Sequence, residues 1–318
     1  MFIKCDTIKI RCNYKYLKEM KIPFNIQYNS KKVEQGRYFN SKHYNDIPYN
    51  LYIATNNYHQ SLEIEFSSKI LKERYSELIS RDTIRQCLHN INDLGICTID
   101  VEGIMYHGWV IRADITKDVE LKPTDDVLNA LNQNVGNYRR FKWKHYINRG
   151  ITFTKDVRYG KEEIKVYNKY AELISHSRNF LDSLPNRSEV ADYFYGKTRF
   201  EITLRGEEQI KERLGVGTGI MDFFDALDCA VREQFERVFN VSATVLDTTL
   251  CNGYEEWAMA QLLDAYKGDL KVIEQTLRYD SVYNSRNGLT DRMKKFQSVK
   301  MKTNRKENEI IKQVRNLL

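Results

Sequence analysis

The 318 residues carry a net charge of +7, 42% hydrophobic residues and four prolines, which suffices for a core and leaves little for low-complexity linkers. No run of about eighteen apolar residues exists to cross a bilayer, and Met1-Phe-Ile-Lys-Cys-Asp6 places charges where a signal peptide needs an apolar stretch, so a cytoplasmic protein with no membrane partner is expected. The six cysteines, at 5, 12, 87, 97, 229 and 251, form no Cys-x-x-Cys pair, which argues against a zinc ribbon or disulfide framework and predicts free thiols.

Residues 7–12 and 49–54 read as short strands, with 29–33 as turn. Residues 62–66 alternate, so Glu63 and Glu65 share one face; carboxylates held on a strand suit a metal, and suit a solvated sheet face equally. Residues 81–95, apolar at 84, 87, 88 and 91 and ending on a glycine, predict an amphipathic helix. Strands are expected at 96–101 and 109–115. Asp114 lies in the second, on the side shared with Arg112 and Thr116, where a carboxylate must pair with a cation or bind a metal. Thr124 after Pro123 opens a second helix.

Residues 138–149 interleave five Lys/Arg with four aromatics, among them Arg139, Arg140, Lys142, Trp143 and Lys144. Cations hold phosphates while rings stack on unpaired bases, as in a single-strand groove; the alternation equally permits a plain strand with Phe141 and Trp143 in the core. The strand pattern from 161 runs into Tyr167-Asn-Lys169 with Glu172 beyond, placing a phenol, an ammonium and a carboxylate close together. A phenol with a pKa of about 10 needs a base, a cation or a metal-polarised phosphate before it attacks. The alternative is that Tyr167 is one of 21 tyrosines packed with its hydroxyl in water. Tyr159, in a turn, and Tyr170 are weaker nucleophile candidates. Residues 183–188 read as loop, and Arg199, Glu201 and Thr203 share one face of a following strand. After a break at 215–219 the pattern is helical over 220–239, 255–277 and the tail from 289. Residues 286–318 hold ten Lys/Arg against three Asp/Glu, with Lys294, Lys295, Lys300 and Lys302 as candidate DNA contacts. The order of elements predicts an α+β protein, helices packed on an antiparallel sheet over 1–214, followed by a mostly helical, basic region over 215–318.

Val166-Tyr-Asn-Lys169, with Glu172, resembles the active-tyrosine motif of rolling-circle replication initiators of the staphylococcal-plasmid and filamentous-phage gene II/X types. Three further short blocks follow the family order: residues 61–71 with a glutamate, the Arg112-Ala-Asp114 strand, and the Arg199-Phe-Glu201 strand. The resemblance implies an HUH-like nickase core without the paired histidines, since no two of the six form His-x-His or His-x-x-x-His. It further implies a metal-dependent DNA-nicking endonuclease and strand transferase in which Tyr167 forms a 5′-phosphotyrosine. Glu65, Asp114 and Glu201 would hold Mg²⁺ or Mn²⁺, with Glu63 as the alternative to Glu65. Lys169 or Arg199 would hold phosphate oxygens, and Glu172 would act as base or orient Lys169. Origin DNA, duplex and single-stranded, is the expected partner, with a host helicase and a second copy of the chain as further candidates. The rival expectation is a DNA-binding replication regulator that cleaves nothing.

Overall fold

The computed structural model describes residues 2–44, 46–133, 142–146, 150–157, 160–238, 244–266, 268–279, 286–307 and 309–318. Its contacts divide the chain into two compact units: Met1–Leu128 with Tyr138–Phe235 and Leu317–Leu318, and Asn129–Asn137 with Glu236–Asn316.

The first unit carries strands β1 (Cys5–Asn13), β2 (Leu17–Met20), β3 (Asn25–Tyr28), β4 (Glu34–Asn40), β5 (Leu51–Asn56), β6 (Ser61–Ser67), β7 (Cys97–Ile99), β8 (Trp109–Val119), β9 (Lys142–Tyr146), β10 (Gly150–Val157), β11 (Gly160–Asn168) and β12 (Thr198–Arg205). Among the described residues, ten of these form one antiparallel sheet in the order β3-β4-β5-β6-β1-β8-β12-β11-β10-β9, while β2 pairs with β7. The alternation that predicted the strands sorts them into two faces. Ile8, Ile10, Ile64, Ala113, Ile115, Ile202 and Val166 are buried on the core side. Their neighbours on the other face are charged or polar: Glu63 and Glu65 on β6, Lys9 and Arg11 on β1, Arg112 and Asp114 on β8, Arg199 and Glu201 on β12, Lys165 and Tyr167 on β11. Cross-strand register lines these up, Lys165 opposite Glu201, and Tyr167 opposite Arg199, which in turn lies opposite Asp118.

The helices of this part of the chain are α1 (Ile84–Asp93), α2 (Val101–His107), α3 (Asp125–Gln133), α4 (Lys169–His176), α5 (Arg178–Asp182), α6 (Arg187–Phe194), α7 (Glu207–Leu214), α8 (Ile220–Phe224) and α9 (Cys229–Val238), of which α3 and α9 run on into the second unit. Ile84, Cys87, Leu88 and Ile91 of α1 are buried, as their spacing predicts. Three local expectations are corrected. The strand expected through residue 101 stops at Ile99, because the Asp100 side chain accepts the Gly103 amide at 2.9 Å and caps α2. The helix expected over 220–239 is two helices, since the chain between them is drawn into backbone pairing with the N-terminal segment, Ile3 N–H donating to Ala226 C=O at 3.0 Å. The helix expected over 255–277 is likewise two, α10 (Gly253–Ala265) and α11 (Leu270–Tyr279), interrupted where Gly268 adopts a left-handed φ of 69°.

Besides α10 and α11, the second unit contains β13 (Thr244–Leu246) paired with β14 (Asn304–Glu307), α12 (Arg286–Thr303) and α13 (Glu309–Leu317). Met259, Ala260, Leu263, Ile273, Phe296 and Val299 form its core. Among the described residues no helix is long and apolar enough to cross a membrane.

Candidate active site

Tyr167 is the penultimate residue of β11, and the strand stops there because Asn168 caps α4, its side chain accepting the Ala171 amide at 2.9 Å. Across the ladder stands Gly150, with φ of 144°; a Cβ there would lie 2.4 Å from the Tyr167 Cβ, so only glycine fits beside this tyrosine. The Tyr167 side chain is half-buried, and its hydroxyl donates to Glu201 Oε2 at 3.0 Å. Lys165 Nζ reaches Glu201 Oε1 at 2.6 Å and Glu163 at 3.3 Å. Burial and the neighbouring Glu201 push the Tyr167 hydroxyl well above its ordinary range. Burial raises the Glu201 carboxyl, with Asp114 adding to the shift and Lys165 opposing it. Burial disfavours the Lys165 charge, yet Glu201 and Asp114 outweigh it and keep the ammonium protonated. The pair therefore offers a phenol whose proton has one defined acceptor, steadied by a fixed cation.

Behind Tyr167 lies a buried ion network. Arg199 is fully buried, grips Asp118 with two nitrogens at 2.7 and 2.8 Å, and gives a third to Asp6 at 3.0 Å. Asp6 sits where the register of β1 shifts, and also accepts from Ser68 Oγ at 2.9 Å. Burial works against its charge, but Lys169 and Arg199 dominate and hold its carboxyl well below the usual range. Lys169 is buried too, 2.7 Å from Glu172 and 3.9 Å from Asp6, with its ammonium 5.7 Å from the centre of the Tyr167 ring. Glu172 accepts from Ser177 Oγ at 2.8 Å. The structure thus brings Tyr167, Lys169, Glu172, Arg199 and Glu201 together. It places Arg199 and Lys169 in the interior, paired with carboxylates, Lys169 with Glu172 and Arg199 with Asp118 and Asp6.

The expected metal ligands are arranged as a pair and an outlier. Glu65 accepts from Arg112 Nη1 at 2.8 Å, while Arg112 Nη2 lies 3.3 Å from Asp114 Oδ2. Glu63 is taken by Lys9 at 2.6 Å and Arg11 at 2.7 Å. Among the described residues no three His, Cys, Asp or Glu side chains stand close enough to hold an ion together. Asp114 and Glu201, however, are diagonal neighbours on β8 and β12, Asp114 lying opposite Thr203 and Glu201 opposite Thr116. Asp114 Oδ1 is buried with no hydrogen-bond partner. An orphaned carboxylate oxygen beside a second carboxyl, raised by burial and by the Asp114 charge, fits a divalent cation with hard oxygen ligands. Glu65 would join it only by leaving Arg112.

Of the expected DNA contacts, Arg139 and Arg140 lie outside the described residues, as does Tyr159. Lys142, Trp143 and Lys144 form β9, the edge strand, opposite Thr154, Phe153 and Thr152. On α12, Lys300 donates to Gly268 C=O at 2.8 Å and Lys302 pairs with Glu256 at 2.7 Å, whereas Lys294 and Lys295 are exposed, 3.3 Å from Asp291 and 3.5 Å from Glu255. Tyr170 packs edge-on against Tyr195 at 5.4 Å. Sequence reasoning missed Lys165, Asp118 and Asp6. The first two were within its reach, since they share faces with Tyr167 and Asp114 by the two-residue period; Asp6, at a register shift, carried no such signal.

Residues 96–222 match the family described as phage replication-associated protein, N-terminal. The match spans Asp114, Tyr167, Lys169, Glu172, Arg199 and Glu201, and includes neither Glu65 nor the lysines of α12. No curated protein matches the chain. Among solved structures it is similar to the rolling circle replication initiator protein from Geobacillus stearothermophilus, at 12% identity and a TM-score of 0.29, over 64% of this chain and 75% of that one.

Proposed function

We propose that this protein initiates rolling-circle replication by nicking origin DNA through a covalent phosphotyrosine at Tyr167, a reading supported by the match of residues 96–222 to the replication-associated protein family. The observation that carries the reading is the hydrogen bond from the Tyr167 hydroxyl to Glu201, 3.0 Å long, on a polar sheet face beside Asp114. As the Tyr167 oxygen attacks the scissile phosphorus, its proton passes to Glu201, so the raised carboxyl is a base matched to a reluctant phenol. The new bond joins Tyr167 Oη to phosphorus, the bond from phosphorus to the 3′ oxygen breaks, and that oxygen takes up a proton to become the primer 3′-hydroxyl. Lys165, held protonated 2.6 Å from Glu201, stabilises charge gathering on the phosphate oxygens. Asp114, through its unpartnered Oδ1, would hold Mg²⁺ or Mn²⁺, which would supply Lewis-acid neutralisation of the phosphate, while both Glu201 oxygens stay with Tyr167 and Lys165. The network of Arg199, Asp118, Asp6, Lys169 and Glu172 keeps the tyrosine in place.

The test is incubation with supercoiled DNA bearing the cognate origin and Mn²⁺, followed by denaturing separation of protein from DNA. A covalent adduct is expected for the native chain and none for Tyr167→Phe, with folding and duplex binding intact in both. Adduct formation by Tyr167→Phe would overturn the assignment and move the search to Tyr159 and Tyr170.

A further inference from the structure

Two strands from the Glu201 row, at the far end of the same polar face, the first unit contains a cavity of about 730 Å³, within the range of small-molecule sites. Its floor is a cross-strand row, Glu63 of β6 opposite Arg11 of β1 opposite Trp109 of β8. Arg11 is paired with Glu63 through two nitrogens, so among the described residues the unmatched charge of the lining is the exposed Lys15. His107 ends α2 with its ring stacked on Tyr16, centroids 5.8 Å apart and planes 12° from parallel, which fixes an exposed imidazole as a flat wall. Trp109, half-buried, adds a second aromatic ring to the lining. Amides line the mouth: Asn56 accepts the His59 backbone N–H at 2.9 Å, and Gln60 is held at a φ of 46°, a conformation that costs a non-glycine residue energy and clusters at binding sites.

A free cation for a phosphate, flat rings for a base face and amides for base edges converge on a nucleotide. We propose that this cavity receives one unpaired nucleotide of the DNA strand that the sheet face presents to Tyr167. Lys15 holds its phosphate, His107 and Trp109 flank its base, and Asn56 and Gln60 read the base edge. Such a contact would fix the register of the strand, and so the choice of scissile phosphate. The proposal rests on the DNA-processing role above, but its chemistry is binding and needs no cleavage.

The experiment is fluorescence anisotropy of short labelled single-stranded oligonucleotides with the full chain in a Tyr167→Phe background, which removes cleavage from the measurement. His107→Ala and Lys15→Ala replace exposed side chains, and their folding is checked by thermal melting. His107→Ala is expected to weaken binding roughly tenfold, the scale of one unstacked base. Lys15→Ala is expected to reduce the slope of log K against log salt by about 0.7, one single-strand phosphate contact. Parental affinity and slope in both variants overturn the proposal. Tight binding of a free deoxynucleoside triphosphate, sensitive to these substitutions while oligonucleotide binding is not, assigns the cavity to a soluble nucleotide and overturns it as well. The nickase reading fails separately: a chain that binds single strands through His107 and Lys15 yet forms no adduct with Tyr167 intact keeps the cavity and loses the proposed function.

Discussion

With its hydroxyl pushed up by burial and by Glu201, Tyr167 is protonated at neutral pH, so under the proposed mechanism it must hand the proton to Glu201 as the bond to phosphorus forms. That gives a pH dependence with a definite sign. Glu201 accepts a proton only when ionised, and burial raises its carboxyl, so single-turnover nicking should climb with pH through that elevated value. Glu201→Gln should flatten this acidic limb and slow nicking by about 10² to 10⁴-fold; an unchanged limb would remove Glu201 as the base. Asp6 makes the complementary prediction for stability. Its folded carboxyl lies below the unfolded value of about 3.9, so its contribution is present above that pH and is lost as pH falls towards the folded value. Asp6→Asn leaves Arg199 with Asp118 and Lys169 with Glu172 but removes the carboxylate they share, and should cost about 1 to 3 kcal/mol at pH 7. In urea melts the gap between variant and parent should narrow below about pH 4. A gap constant down to pH 3 would show that the Asp6 charge is not what stabilises the network.

Among the elements, the ladder between β10 and β11 sets how much room Tyr167 has. Gly150 faces it with no side chain, and a methyl group there would run into Tyr167 Cβ and the Val166 carbonyl oxygen, both 2.4 Å from the added atom. Gly150→Ala should therefore displace the tyrosine from Glu201 and reduce adduct formation at least tenfold while duplex binding persists; full activity would mean that the ladder does not position the nucleophile. This constraint was not visible in the sequence, because nothing before the strand pairing relates residue 150 to residue 167. What was legible follows from local periodicity. The alternation in 62–66 put Glu63 and Glu65 on one face, that of 161–166 ran β11 into Tyr167, and the apolar spacing of 84, 87, 88 and 91 gave α1. What was illegible was long-range or irregular: the register shift that carries Asp6 to Arg199, the pairing of Ile3 with Ala226 that divides α8 from α9, and the ion pairs that turn Glu65 and Glu63 to their own cations.

At the scale of the whole chain, the basic excess of residues 286–318 lies on elements that also hold the second unit together. Helix α12 gives Phe296 and Val299 to the core formed with Met259, Leu263 and Ile273, and turns Lys294 and Lys295 to solvent. Lys300 and Lys302 have internal duties, one on the Gly268 carbonyl and one on Glu256, so charge alone does not make them DNA contacts. Cutting the chain near residue 285 would expose that core, and any loss of DNA binding would then report unfolding. Substitution separates the two effects. Lys294→Ala with Lys295→Ala leaves every core residue in place and removes pairs too exposed and too long to stabilise the fold measurably, so the melting temperature should not move. If both lysines touch phosphates of the origin duplex, the slope of log K against log salt should fall by about 1.8, at ~0.9 for each phosphate no longer neutralised. A slope that does not change assigns the positive charge of α12 to solvation and leaves DNA binding to the sheet face of the first unit.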